Sequence, residues 1–145
     1  MRKALALAAG ECVRTAPAGT HLLRQIKVIG GYLDGAEFAL APGLNCLIGA
    51  RGTGKTTVLE LVRFALHGLP DDPDERRRVE AVVRSNLGDG RVELAIETKE
   101  GLSYIVSRAA DEEPLVLTPD GSATEITLRG ANGGGVFRAD IYSQN

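Results

Sequence analysis

The sequence predicts an α/β domain: a mixed sheet whose central strand feeds a phosphate-cradling loop, with an antiparallel β subdomain in the second half. Three observations predict it. Gly49-Ala50-Arg51-Gly52-Thr53-Gly54-Lys55-Thr56 fits the pattern G-x-x-x-x-G-K-[ST] without a mismatch. The apolar run Leu44-Asn45-Cys46-Leu47-Ile48 before it reads as a short buried strand, and Thr56 to Leu66 after it has helical periodicity. From Gly90 onward the apolar residues recur every second position, the mark of half-buried strands.

The bulk numbers set the frame. A chain of 145 residues is one domain by length, large enough to bury roughly 68% of its unfolded surface. With 43% hydrophobic and 25% charged residues it has an ordinary globular composition. A net charge of -2 excludes a basic surface over the whole domain but leaves room for a local patch. Cys12 and Cys46 lack metal-ligand spacing. Cys46 reads as a small core residue, and a reducing, cytoplasmic compartment is expected. Met1-Arg2-Lys3 followed by Ala4 to Ala9 has the outline of a secretory leader. Its apolar core is shorter than the ~7–15 residues such leaders use. No run approaches the ~20 apolar residues of a membrane span.

Element by element, residues 1–20 read as an N-terminal extension ending in Pro17-Ala18-Gly19, and residues 21–145 as the domain. His21 to Ile29 alternates as a strand, with Leu23, Gln25, Lys27 and Ile29 on one side, and Gly30-Gly31 breaks it. Gly35 to Leu40 is a second short strand, and Ala41-Pro42-Gly43 turns into the strand before the loop. The helix after the loop has Val58, Leu61, Val62 and Ala65 on one stripe, with Glu60, Arg63 and His67 opposite, and stops at Gly68 and Pro70. A second helix is announced by Asp72 as cap, Pro73 at the first helical position and Glu75 closing a capping box. Val79, Val82, Val83 and Leu87 give it an apolar stripe, ending at Gly88. Val92, Leu94 and Ile96 then share one strand face, Lys99-Glu100-Gly101 turns the chain, and Leu102, Tyr104 and Val106 return it as a hairpin. Pro114 to Thr118, Thr124 to Leu128 and Val136 to Tyr142 complete the candidate strands.

The loop dictates a specific chemistry. Backbone N–H groups of Gly52 to Thr56 converge on a β-phosphate, where glycines permit close approach and a helix N-terminus adds positive potential. Lys55 reaches the β- and γ-phosphates as a point charge, and the Thr56 hydroxyl ligates Mg²⁺. Gly49, Ala50, Arg51, Gly52, Thr53, Gly54, Lys55, Thr56 and Thr57 are therefore the candidate ATP contacts of a P-loop NTPase. Arg76-Arg77-Arg78, one turn into an acidic helix start, reads as a solvated, ion-paired face, with a nucleic-acid contact as the alternative. His21 and His67 have no acidic or thiol neighbours in sequence. A hydrolytic site also needs an acid at the end of an apolar strand, and neither Glu97 nor Asp140 fits that pattern convincingly.

The stretch from Leu23 to Asn145 resembles the N-terminal lobe (lobe I) of ABC-type ATPase heads, among them the SMC, RecF and SbcC-like proteins that act on DNA, and especially the TrlF-like ATPases. Two strands precede the nucleotide strand, and loop and helix read Ile48 to Glu60 in the family manner. Gly101 to Arg108 matches a strand of the antiparallel insertion, and the chain closes on Ile141-Tyr142-Ser143-Gln144-Asn145. Arg51 departs from the asparagine common in SMC-like loops. The resemblance implies that Gln144 is the Q-loop residue that senses Mg²⁺ and the attacking water, a catalytic and metal-site role beside Lys55 and Thr56. A frayed terminal tail is the competing reading of Gln144.

The resemblance further implies an ATPase of DNA repair, chromosome maintenance or phage defence, using ATP and Mg²⁺. Its partners would be a C-terminal lobe, a second ATPase head and DNA, with no membrane. The family places its signature motif and second acidic motif after the Q-loop, so the expectation is a lobe truncated at the Q-loop that hydrolyses ATP only with the rest of the head. A small P-loop kinase and a non-catalytic domain stabilised by nucleotide remain the alternatives.

Overall fold

The structure is a computed structural model that describes residues 6–8, 19–128, 137 and 139–142, with the side chains of 6–8 left aside. Its strands are β1 (Ala6–Ala8), β2 (Leu22–Ile29), β3 (Glu37–Ala39), β4 (Cys46–Ile48), β5 (Arg91–Glu97), β6 (Ser103–Ala109) and β7 (Leu115–Leu117). Two helices, α1 (Lys55–Ala65) and α2 (Pro73–Leu87), follow β4 in sequence. Five strands form one sheet in the order β3-β2-β5-β6-β7, and β4 pairs with β1 in a second, two-stranded sheet. The α/β class and the antiparallel subdomain are as the sequence predicts. Among the described residues every strand pairing is antiparallel.

The five-stranded sheet buries one face under the helix pair. Val92, Leu94 and Ile96 of β5 are fully buried, as their alternation requires, and Val106 and Val116 continue the layer into β6 and β7. In β2 Ile26 and Val28 are buried, and Gln25, Lys27 and Ile29 share the opposite face as expected, but Leu23 does not lie with them. The cause is a register shift between Leu23 and Gln25: Leu23 faces Ile96, whereas Ile26 faces Leu94 and Val28 faces Val92. The extra residue, Arg24, rephases the strand, so an odd-numbered leucine and two even-numbered residues share one face. Val58, Leu61, Val62, Phe64 and Ala65 of α1 and Val79, Val83 and Leu87 of α2 complete the core. Each of the larger side chains contributes about 1.5–3 kcal/mol by leaving water.

Helix ends follow local chemistry. Asp72 caps α2 by accepting from the N–H groups of Asp74 (3.0 Å) and Glu75 (2.9 Å), with Pro73 at the first helical position. At the end of α1 the left-handed residue is His67 (φ 57), and Gly68 N donates to Arg63 O (2.9 Å) while His67 N donates to Phe64 O (3.1 Å). That pair of bonds closes the helix in a Schellman arrangement. Arg108, buried in β6, donates from Nη1 to Phe64 O (2.6 Å) and from Nε to Glu112 O (2.8 Å), with its guanidinium over the Phe64 ring. A cation on the last carbonyls also suits the helix dipole.

Several expectations are corrected. Ala6–Ala8, read as part of an extension, forms β1 and pairs with β4, Ala6 opposite Ile48; alanine carries little strand propensity, so the sequence gives no sign of it. β4 is not buried: Ile48 is 59% exposed and Cys46 is an exposed free thiol rather than a core residue. Its apolar composition reports a face that no other described element covers. Glu60 and Arg63, placed opposite the apolar stripe of α1, are both buried and lie 3.6 Å apart as an ion pair. Mutual compensation, together with the Ile141 carbonyl on Arg63 Nη2 (2.8 Å), makes that burial tolerable. Thr124 to Leu128 forms no strand; the isolated bridge beside it joins Ala123 to Leu117, and the described residues 139–142 form no strand either.

Candidate functional site

The phosphate-type loop is built by three kinds of local constraint. Gly52 (φ 77) and Gly54 (φ 98) hold left-handed conformations that only glycine adopts without strain. Thr53 is buried and ties the loop to itself, its Oγ1 donating to Ala50 O (2.8 Å) and its N–H to the same oxygen (3.3 Å). The Lys55 ammonium donates to Gly49 O (2.6 Å) and Ala50 O (2.8 Å). An ammonium has three N–H donors, so two brace the loop and one remains for an anion.

The N-terminus of α1 faces the same space. Gly54 is its N-cap without a side-chain cap bond, and no acidic residue stands in the first turn. The first N–H groups of a helix have no intrahelical acceptor, and here neither a cap nor a carboxylate competes for them. Thr56 is exposed at the start of the helix. A cavity of about 560 Å³ lies over this terminus, walled by Arg51, Gly52, Gly54, Lys55, Thr56 and Thr57 from the loop and helix, with Tyr32 and Asn86 opposite in sequence. Among the described residues two cations and no carboxylate line it, which suits a polyanion. A volume of this size accommodates a whole small-molecule ligand. At Gly52 a Cβ would meet nothing within 4 Å, so the loop surface is open to a close-approaching group.

Of the residues singled out from sequence, Arg51, Gly52, Gly54, Lys55, Thr56 and Thr57 therefore come together on one cavity. Gly49, Ala50 and Thr53 are not among its lining residues; the carbonyls of Gly49 and Ala50 hold Lys55, and Thr53 is an internal tie. Glu97 is paired with Arg24 (3.0 Å) and Asp140 is exposed, and neither lines the cavity. Gln144 lies outside the described residues. These residues fit a Mg-nucleotide: oriented N–H donors and two cations for phosphate, and the Thr56 hydroxyl for a hard cation.

Sequence reasoning missed Tyr32 and Asn86. They reach the loop through the turn after β2. Gly31 packs so tightly on the end of α2 that a Cβ there would sit 2.0 Å from Asn86 O. The next residue, Tyr32, donates its N–H to that same oxygen (2.7 Å) and its hydroxyl to Gly52 O (3.3 Å). Leu33 closes the contact, with Cδ2 3.1 Å from a Cβ built on Gly54. The Gly30-Gly31 pair was visible in sequence as a break. What it brings together is a long-range contact that no local pattern encodes.

Known proteins share this arrangement of sequence. A family profile described as an AAA domain (AAA_23) matches residues 25–133. The chain is 32% identical over 130 residues to the DNA replication and repair protein RecF of Edwardsiella ictaluri, an alignment covering 73% of this chain and 34% of that protein. It is 31% identical to the RecF of Pectobacterium atrosepticum, over 73% of this chain and 33% of that protein. It is 28% identical over 106 residues to the DNA double-strand break repair Rad50 ATPase of Thermoplasma acidophilum, over 68% of this chain and 11% of that protein. The chain thus spans about a third of the length of the RecF relatives it matches. No solved structure matches it significantly. Among the described residues no helix is long and apolar enough to cross a membrane. With its phosphate-type loop, antiparallel insertion and these relatives, the chain belongs to the AAA-domain family of RecF- and Rad50-like ATPase lobes.

Proposed function

We propose that this chain is the nucleotide-binding lobe of an ATPase of DNA replication and repair, and that it holds Mg-ATP on residues 49–57. One observation carries the reading: the uncapped N-terminus of α1, Lys55 and Arg51 converge on a single cavity that, among the described residues, no carboxylate lines. Lys55 would extend its third N–H to the β- and γ-phosphates while keeping the loop braced, and the Thr56 hydroxyl would ligate Mg²⁺. Bound nucleotide supplies the phosphoanhydride; the protein orients it and neutralises its charge.

Hydrolysis in this account needs more than the lobe. Among the described residues no acid lines the cavity to support Mg²⁺ or to orient water. Gln144 would serve as the residue that senses the metal, and a C-terminal lobe and a second head would complete the site, with DNA as the partner that the relatives' names point to. The alternatives of a small kinase and of a domain merely stabilised by nucleotide are not favoured by any feature of the cavity. The test is thermal unfolding with and without Mg-ATP. Ligand that binds only the folded state raises stability by RT ln(1 + [L]/Kd), about 2.7 kcal/mol at a hundredfold excess over Kd. The wild-type chain is expected to gain a clear rise in Tm and Lys55→Ala a much smaller one. No shift for the wild type at millimolar Mg-ATP contradicts the proposal.

A further inference from the structure

The two cations on the cavity wall are held differently. The Lys55 ammonium is braced on Gly49 O (2.6 Å) and Ala50 O (2.8 Å). Arg51 is exposed, and among the described residues no carbonyl, hydroxyl or carboxylate holds its guanidinium. Arginines elsewhere in the fold are engaged: Arg24, Arg63 and Arg84 pair with carboxylates, and Arg76 and Arg108 donate to carbonyls. Arg51 thus keeps all its side-chain donors for whatever fills the cavity. Its place in the loop limits what it meets. The N–H groups of Gly52 to Thr56 form the cradle for a β-phosphate. Arg51 comes just before that cradle, between Ala50, whose carbonyl holds Lys55, and Gly52, whose left-handed backbone (φ 77) turns the chain.

We infer that Arg51 is the residue that makes this site discriminate Mg-ATP from Mg-ADP, a cation that gains its counter-charge only when a γ-phosphate is present. The inference rests on the proposed nucleotide site and adds a specificity to it. Charge balance carries the argument. Mg-ATP has one more negative charge than Mg-ADP, and among the described residues the cavity holds Lys55, Arg51 and no carboxylate. The braced lysine alone balances Mg-ADP; lysine and arginine together balance Mg-ATP. The asparagine common at this place in SMC-like loops would add no charge, so the discrimination belongs to the arginine of this chain.

The experiment measures Mg-ATP and Mg-ADP binding by calorimetry on the wild-type chain, Arg51→Asn and Arg51→Lys, with melting curves to establish that each is folded. The wild type is expected to prefer Mg-ATP. Arg51→Asn is expected to weaken Mg-ATP roughly 5- to 50-fold, an exposed charge-assisted contact being screened by water, and to change Mg-ADP by less than about threefold. Arg51→Lys keeps the charge and is expected to keep a preference for Mg-ATP. Equal weakening of both nucleotides in Arg51→Asn would make Arg51 a general phosphate contact and overturn the inference. Unchanged Mg-ATP affinity in Arg51→Asn overturns it too, as does a lysine variant that discriminates no better than the asparagine one. If the wild-type chain binds neither nucleotide, the nucleotide site itself fails and the inference with it. Equal affinity of the wild type for both leaves that site standing and removes only the role of Arg51.

Discussion

Replacing Gly31 with alanine tests how tightly the turn after β2 is locked to α2. A Cβ at this position would lie 2.0 Å from Asn86 O and 2.8 Å from the Cα and O of Leu87, all backbone atoms that cannot rotate away. The helix end or the turn must move by more than an ångström to restore van der Waals distance. The left-handed φ of 71 adds about 1–2 kcal/mol for any residue with a Cβ. Relieving the overlap adds about 1–3 kcal/mol, as overpacking does. Losing the Tyr32 N–H bond to Asn86 adds about 0.5–1.5 kcal/mol. Gly35→Ala is the internal control: φ is 76, yet nothing lies within 4 Å of its Cβ, so it keeps only the conformational cost. The two variants should then differ by about 2–4 kcal/mol in urea denaturation, and Gly31→Ala should melt roughly 6–12 °C below Gly35→Ala for a domain near this size. Equal destabilisation by the two would refute the contact between the turn and α2, and with it the placement of Tyr32.

Three further outcomes follow from the geometry. Asp72→Ala removes both cap bonds of α2 and should cost about 0.5–2 kcal/mol; denaturation curves that coincide with wild type would contradict the cap. Asp120 has its pKa lowered by the Thr118 hydroxyl and then by the Ser122 amide. A carboxylate whose folded pKa is depressed adds stability above its unfolded value, near 3.9 for aspartate, and loses it as pH falls through the folded value. Asp120→Asn should therefore lower stability at neutral pH and flatten the acid limb below about pH 4, the two proteins converging at low pH, which melting curves across pH 2–7 would check. The chain alone should hydrolyse ATP far below the ~1 s⁻¹ at the low end of ordinary enzymes, since among the described residues no carboxylate lines the cavity; phosphate release near that rate from purified protein would show that a catalytic acid has been overlooked.

What was legible in the sequence was local. The cap at Asp72, the loop glycines and the alternation of Val92, Leu94 and Ile96 each follow from interactions spanning a few residues, and each stands where expected. The illegible parts depend on distant partners. A single extra residue at Arg24 moved Leu23 off the face expected to hold Gln25, Lys27 and Ile29, because register is set by the neighbouring strand and not by the strand itself. That Glu60 and Arg63, opposite the apolar stripe, are buried was not legible, because polarity alone does not reveal a buried, mutually compensating pair. Tyr32 and Asn86 are 54 positions apart in sequence, and only the glycine turn against the end of α2 makes them neighbours.

The central claim, that the Lys55 ammonium and the N-terminus of α1 form a nucleotide site, is tested most directly by calorimetry of Mg-ATP binding to the wild-type chain and to Lys55→Ala. The ammonium would make charge-assisted hydrogen bonds to phosphate of about 1.5–3 kcal/mol. The account predicts saturable one-to-one binding by the wild type and an affinity roughly 10- to 150-fold lower for Lys55→Ala. Equal affinity for the two proteins, or no binding by the wild type, would contradict it.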